Sequence, residues 1–311
     1  MEPTRPDRLT LTAFAVLVVI AGANGVAIRF SNRGLPPFWG AGLRFALASL
    51  AFFAVVLVRR VPLPRGRALV GTATFGAVIG LGFGLGYWAL QRIQAGTSQV
   101  IMALVPLLTL FLALAHRQER FRWRGLAGGL LAIGGVAIMF GPRAGGPLPV
   151  GALVATLGTA VCLAEGTVLA KSLPTVPPAA MNAVAMAVSA LILTVTSLIA
   201  GERIGLPSVG EAWLALGYLV LFGSLAVFAL FLFVIRRWTA SGTAYEFVLF
   251  PVVAVALSAW LDREPLTPAL FLAGALVIAG VYVGALMKPR VSGAPPEALP
   301  VVAASPADLT D

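Results

Sequence analysis

Reactive side chains are scarce in this chain. There is one cysteine, one histidine and twelve acids in 311 residues. Cys162 alone excludes an internal disulfide or a multi-cysteine metal site, and it reads as a small buried apolar residue. His116 sits in a basic loop and is the only imidazole, so no Ser–His–Asp set can be assembled. There is no HExxH and no Asp-rich diphosphate motif, which leaves a membrane enzyme as a remote alternative. No Walker motif is present, so ATP is not a direct energy source. Nothing calls for a cofactor or a metal. Charge is also sparse, at 11% of residues, against about 25% in soluble domains. The net charge of +10 does not indicate a nucleic-acid partner. The arginines form short clusters between apolar runs, without zinc spacing, a helix-turn-helix or an aromatic platform.

What is abundant is apolar sequence. Hydrophobic residues make up 59% of the chain and the mean hydropathy is +0.96. A spanning helix needs roughly 20 apolar residues, and ten segments qualify: 9–30, 36–58, 68–90, 95–115, 123–141, 148–170, 177–199, 212–235, 239–261 and 268–287. Pro36 and Pro37 open the second, Pro177 and Pro178 the seventh, and Thr267 with Pro268 forms an N-cap and first residue for the tenth. "AGA" at 21–23 resembles a secretory cleavage site, but the internal repeat requires this segment as a helix.

Alternate loops collect Arg5, Arg8, Arg59, Arg60, Arg65, Arg67, Arg117, Arg120, Arg122, Arg124, Lys171, Arg236, Arg237, Lys288 and Arg290. The opposite loops hold only Arg29, Arg33, Arg92, Arg143, Arg203 and Arg263. The excess of basic residues marks the cytoplasmic side, so both termini are expected there, in a multi-pass protein of the cytoplasmic membrane.

The two halves repeat. "GANGVAIRFSNRGLPP" at 22–37 lines up with "LAEGTVLAKSLPTVPP" at 163–178. "GTSQVIMALVP" at 96–106 matches "GTAYEFVLFP" at 242–251, and "LAGGLLAIGGVAI" at 126–138 matches "LAGALVIAGVYV" at 272–283. Five spans per unit is an odd number, so the second unit enters the membrane from the other side. The expected fold is an all-α integral membrane protein of ten transmembrane helices in two inverted five-helix repeats, residues 1–145 and 146–290. Such repeats are a transporter architecture with a site near the midplane. Residues 291–311 are rich in Pro and Ala without apolar periodicity and read as a disordered cytoplasmic tail.

These motifs, with "YWALQRIQAGTSQVIMALVPLL" and "FVIRRWTASGTAYEFVLFPVVAVALSAWLDREPLT", resemble the drug/metabolite transporter superfamily, specifically the ten-helix EamA-type carriers, over residues 9–287. The resemblance implies a central cavity lined chiefly by helices 1, 3, 4, 6, 8 and 9, with helices 5 and 10 outside. It also implies alternating access, commonly for export of amino acids, other metabolites or drugs. Many members carry Glu immediately before the proline of helix 9, where this chain has Phe250; its acid is Glu246, one turn earlier.

Three ionisable residues lie well inside the spans: Arg44, Glu165 and Glu246. Such charges cost about 2.5–3.5 kcal/mol at a helix centre on insertion scales, so they face a cavity or a partner. Glu165 and Glu246 are both expected about 10 Å below the cytoplasmic surface. On that reading they share one cavity and handle a proton or a substrate amine. Tyr245 is expected in the cavity beside Glu246. The alternative is structural: Glu165 pairs with Lys171 or a neighbouring helix, and Glu246 bonds to Tyr245 or Thr243. Arg44 reads as a structural charge holding helices together. Asn24, the repeat partner of Glu165, and Gln99, beside Thr97 and Ser98, either read a polar substrate or bridge helices.

Tyr87 is an interfacial residue or a stacking surface. Phe228, with Phe222 and Ser224, faces the cavity or packs. Pro106 and Pro251 bend helices 4 and 9 at matched positions. Gly76, Gly80 and Gly84 let a neighbouring helix approach closely. Glu119 and Glu264 precede helix starts and read as caps.

The function these residues point to is secondary active transport of small metabolites, an exporter of amino acids or other amine-bearing or drug-like compounds, driven by a proton gradient or by exchange. A lipid-linked substrate flippase, which needs a lateral opening, is the alternative. The expected partners are a small-molecule substrate and the bilayer, with the protein a monomer or a homodimer.

Overall fold

The computed structural model describes residues 7–117, 123–139, 149–173, 176–237, 246–263 and 266–283. Among the described residues there is no strand, and all ten apolar segments are helical. We number them α1 (Arg8–Ser31), α2 (Pro37–Val58), α3 (Arg67–Ala89), α4 (Ala95–Met102 and Val105–Ala115), α5 (Trp123–Met139), α6 (Val150–Ser172), α7 (Pro178–Ile199), α8 (Gly210–Val220, a π turn Leu221–Ala226, then Val227–Arg237), α9 (Glu246–Leu261) and α10 (Pro268–Val281). Six are long and apolar enough to cross a membrane: α1, α2, α3, α4, α6 and α7; shorter apolar helices fall within α5, α8, α9 and α10. The protein is an all-α membrane protein. The tail at 291–311, and with it Glu119, Glu264 and Tyr245, lies outside the described residues.

Local chemistry sets the helix starts. Asp7 caps α1, its carboxylate accepting from the Thr10 amide at 2.9 Å. The Thr10 hydrogen bonds hold that carboxyl below its ordinary range. Pro37 and Pro178 occupy first-turn positions of α2 and α7, where a missing amide costs nothing. Thr267 caps α10, accepting from the Leu270 amide at 3.2 Å. The start of α2 lacks a side-chain cap of its own. Glu202, from the α7–α8 loop, supplies one by accepting from the Phe38 and Trp39 amides at 3.2 and 2.8 Å, a carboxylate at the positive end of the dipole.

The packing follows the repeat. α1 packs on α8 and α9, and α6 packs on α3 and α4, so adding five to each helix number, counted cyclically, exchanges these contacts. α2 with α7, α4 with α9, and α5 with α10 pair across the same relation. The glycines of α3 permit the closest of these approaches. A Cβ on Gly76 would lie 2.4 Å from the Ala185 carbonyl oxygen, one on Gly80 2.9 Å from Ser189 Cα, and one on Gly84 3.0 Å from the Leu193 side chain. The Ser189 hydroxyl donates to the Gly76 carbonyl at 2.6 Å. On the other side of α3, Thr159 of α6 donates to the Gly82 carbonyl at 3.0 Å. α3 is thus packed between α6 and α7, both from the second half of the chain.

A candidate substrate cavity

α1, α3, α4, α6, α8 and α9 enclose a cavity of about 470 Å³. Among the described residues, α5, α7 and α10 contribute none to its wall, and α2 contributes Arg44 alone. Most of the wall is apolar, including Leu17, Phe83, Met102 and Phe250. The polar minority comprises Asn24, Arg44, Tyr87, Ser98, Gln99, Thr159 and Glu246. The sequence-predicted residues Glu246, Asn24, Gln99 and Tyr87 therefore meet in one place. Glu246 is 4% exposed and Arg44 2%.

Arg44, expected to be purely structural, is also part of the wall. Its Nε donates to Ser224 Oγ at 3.2 Å, one terminal nitrogen to the Gly223 carbonyl at 3.1 Å and the other to the Tyr87 hydroxyl at 3.5 Å. Its guanidinium also lies 5.2 Å from the Phe83 ring centre. The π turn of α8 makes this possible. Ser224 Oγ bonds back to the Leu219 carbonyl at 2.9 Å, and the Gly223 carbonyl within the turn accepts from Arg44. Single π turns inside α-helices are frequent at functional sites. Nothing in the sequence marked this one except Gly223 and Ser224 in an otherwise apolar run. Asn24 Oδ1 is buried beside Gly223, with no hydrogen-bond partner among the described residues.

Glu165 does not share this cavity, contrary to expectation. Its carboxylate lies 3.1 Å from His116 Nε2 at the end of α4. The physical reason is helical phase: α6 turns Thr159 and Leu163 toward the cavity, and Glu165, two residues on, points about 200° away from Leu163. Depth alone placed the two acids together, and depth carries no information about which side of a helix faces inward. Phe228 has a helical backbone, but its side chain lies outside what is described. Pro106 follows a break in α4 at Ala103 and Leu104, whereas Pro251 lies inside an unbroken helix, so only the first of the matched prolines interrupts its span.

Sequence reasoning also missed a charge cluster beside the cavity. Beside Ile28 and Leu90 of the cavity wall, Arg29 Nε pairs with Asp262 at 2.7 Å, and Arg29 also donates to the Ile93 carbonyl. Arg33 pairs with Asp262 and, at 2.6 Å, with Glu211. Asp262 is 5% exposed. This cluster joins α1 to the ends of α8 and α9. The signal was present as acids at the edges of spans 8 and 9, but only their three-dimensional partners give them meaning. A second, apolar groove of about 420 Å³ runs between α1, α8 and α9, lined by Val26, Phe30, Leu214, Tyr218, Leu257 and others. It uses the face of α1 opposite Asn24, Gly25 and Ile28, so α1 separates it from the cavity.

The model of the EamA-like transporter family matches this chain twice, over residues 8–141 and 150–285. An Escherichia coli K12 protein described as "uncharacterized inner membrane transporter YedA" is 34% identical over 283 residues, covering 87% of this chain and 89% of that one. A second protein of the same strain, "probable amino-acid metabolite efflux pump", is 28% identical over 286 residues, covering 86% and 92%. A solved crystal structure superposes with a TM-score of 0.64 at 22% identity, covering 89% of this chain and 96% of the other, which bears on the fold alone. With a six-helix-walled cavity in an all-α bundle and two family matches across most of its length, this chain belongs to the EamA-like transporter family and is a multi-pass membrane transporter rather than an enzyme.

Proposed function

We propose that this transporter exports small metabolites, amino acids foremost, from the cytoplasm by alternating access, with both termini cytoplasmic. The observation that carries the reading is Glu246, a carboxylate buried in the wall of a cavity built from both halves of the chain. An acid there accepts a proton or a substrate amine. The Arg29–Asp262–Arg33–Glu211 cluster beside the cavity is the closed barrier of one side, and its separation opens that side. The "efflux pump" in the name of one relative supports the direction, and the excess of basic residues in alternate loops supports the orientation. A proton gradient or exchange supplies the energy.

Counterflow in proteoliposomes tests this. Vesicles loaded with an unlabelled amino acid should accumulate the labelled one, and a lumenal pH dye should report whether protons move with it. Glu246→Gln should lower the initial rate at least tenfold while the protein remains folded. Unchanged counterflow in that variant would remove Glu246 from the mechanism.

A further inference from the structure

We propose that Arg44 binds the carboxylate of the transported substrate and so makes the cavity selective for zwitterions over plain amines. This deepens the amino-acid reading above and rests on it. Arg44 and Glu246 are the two charged residues of the wall, one of each sign, both almost wholly buried. Among the described residues neither forms an ion pair. A guanidinium carries five N–H donors, and the bonds to Ser224, Gly223 and Tyr87 leave two unused. All three acceptors are neutral. They satisfy hydrogen bonds without neutralising the charge, and a buried cation without a counter-charge is costly. A purely structural tie between α2, α3 and α8 could be made by a neutral donor.

The two charges stand at different levels of the cavity. α1 and α9 run parallel, since Gly22 lies against Val253 and the Phe250 carbonyl while Arg29 meets Asp262. Glu246 is therefore level with the part of α1 before Gly22, whereas Arg44, bonded to Gly223, is level with Asn24, against which Gly223 lies. A dipolar substrate, with an ammonium at one end and a carboxylate at the other, can address both by charge-assisted hydrogen bonds. A cation alone leaves Arg44 uncompensated, whereas a zwitterion brings a carboxylate to Arg44 and an ammonium to Glu246. The apolar remainder of the wall suits an aliphatic side chain.

The test uses the full-length purified protein in nanodiscs and four probes of one skeleton: L-leucine, its methyl ester, isoamylamine and N-acetyl-L-leucine, with binding read calorimetrically at neutral pH. Wild type should prefer leucine over the ester and the amine by at least tenfold. Arg44→Gln should abolish that preference. Arg44→Lys, which keeps the charge but not the planar fork, should retain part of it, and this separates recognition from a folding defect. Glu246→Gln should instead abolish the preference over N-acetyl-leucine. Equal binding of leucine, ester and amine by wild type overturns the role of Arg44 and leaves the carrier reading standing. Binding of none of the four also overturns it, and counterflow with other metabolites then decides the carrier reading separately. Undiminished discrimination in Arg44→Gln returns Arg44 to a structural tie.

Discussion

At the scale of single residues, two acids that look alike in the sequence have different surroundings. Glu246 is buried in the cavity wall, while Glu165 is paired with His116 and a quarter exposed. Glu165→Gln should therefore leave substrate affinity close to that of the wild type, and the partly exposed pair with His116 contributes only about 0–1 kcal/mol to stability. Equilibrium binding measured for this variant beside Glu246→Gln checks the assignment, and a tenfold loss in Glu165→Gln would contradict it. Asp262 is the opposite case. It is nearly buried between two arginines, and Asp262→Asn leaves them facing each other without their shared anion. Removing one partner of a buried pair costs about 3–5 kcal/mol. With Arg29 a quarter exposed, the lower end, about 3 kcal/mol, is expected in a thermal-denaturation comparison.

At the scale of elements, α3 is defined by what it leaves out. The Gly76–Gly80–Gly84 spacing does indicate close helix packing, and the structure shows the neighbour to be α7. The contact is backbone to backbone at Gly76, so Gly76→Val cannot be absorbed by a side-chain rotation. Overpacking costs about 1–3 kcal/mol or more, and folded yield by size-exclusion chromatography should fall sharply. Gly217, with nothing within 4 Å of an added Cβ, is the control position, where Gly217→Ala should fold normally. The helices themselves were legible because length and apolarity are written residue by residue. The π turn of α8 was not, because its Gly223 carbonyl and Ser224 hydroxyl find their partner in Arg44, about 180 residues away in the chain.

At the scale of the whole molecule, charged contacts between the two halves stand at both ends of the bundle and differ in kind. α1 and α9 are joined by arginines and acids, whereas α4 and α6 meet through His116 and Glu165. If separation of the first is required for turnover, tethering should stop it. In a Cys162→Ala background, Arg29→Cys with Asp262→Cys linked by a short bis-methanethiosulfonate should abolish counterflow, and reductant should restore it. Counterflow that persists through full cross-linking would place the moving barrier elsewhere.

Composition, span length and the repeated motifs by themselves determined an all-α membrane bundle, the ten helices and the transporter class, because burial in a bilayer constrains every residue of a span in the same way. They also singled out Glu246, Asn24, Gln99 and Tyr87, since polar groups within spans are rare enough to be noticed. Only tertiary structure decided which of those groups face one another. Facing depends on helix phase and on partners far apart in the chain, so it drew Arg44 into the cavity wall, turned Glu165 away from it, and joined Arg29, Arg33 and Asp262 in one cluster.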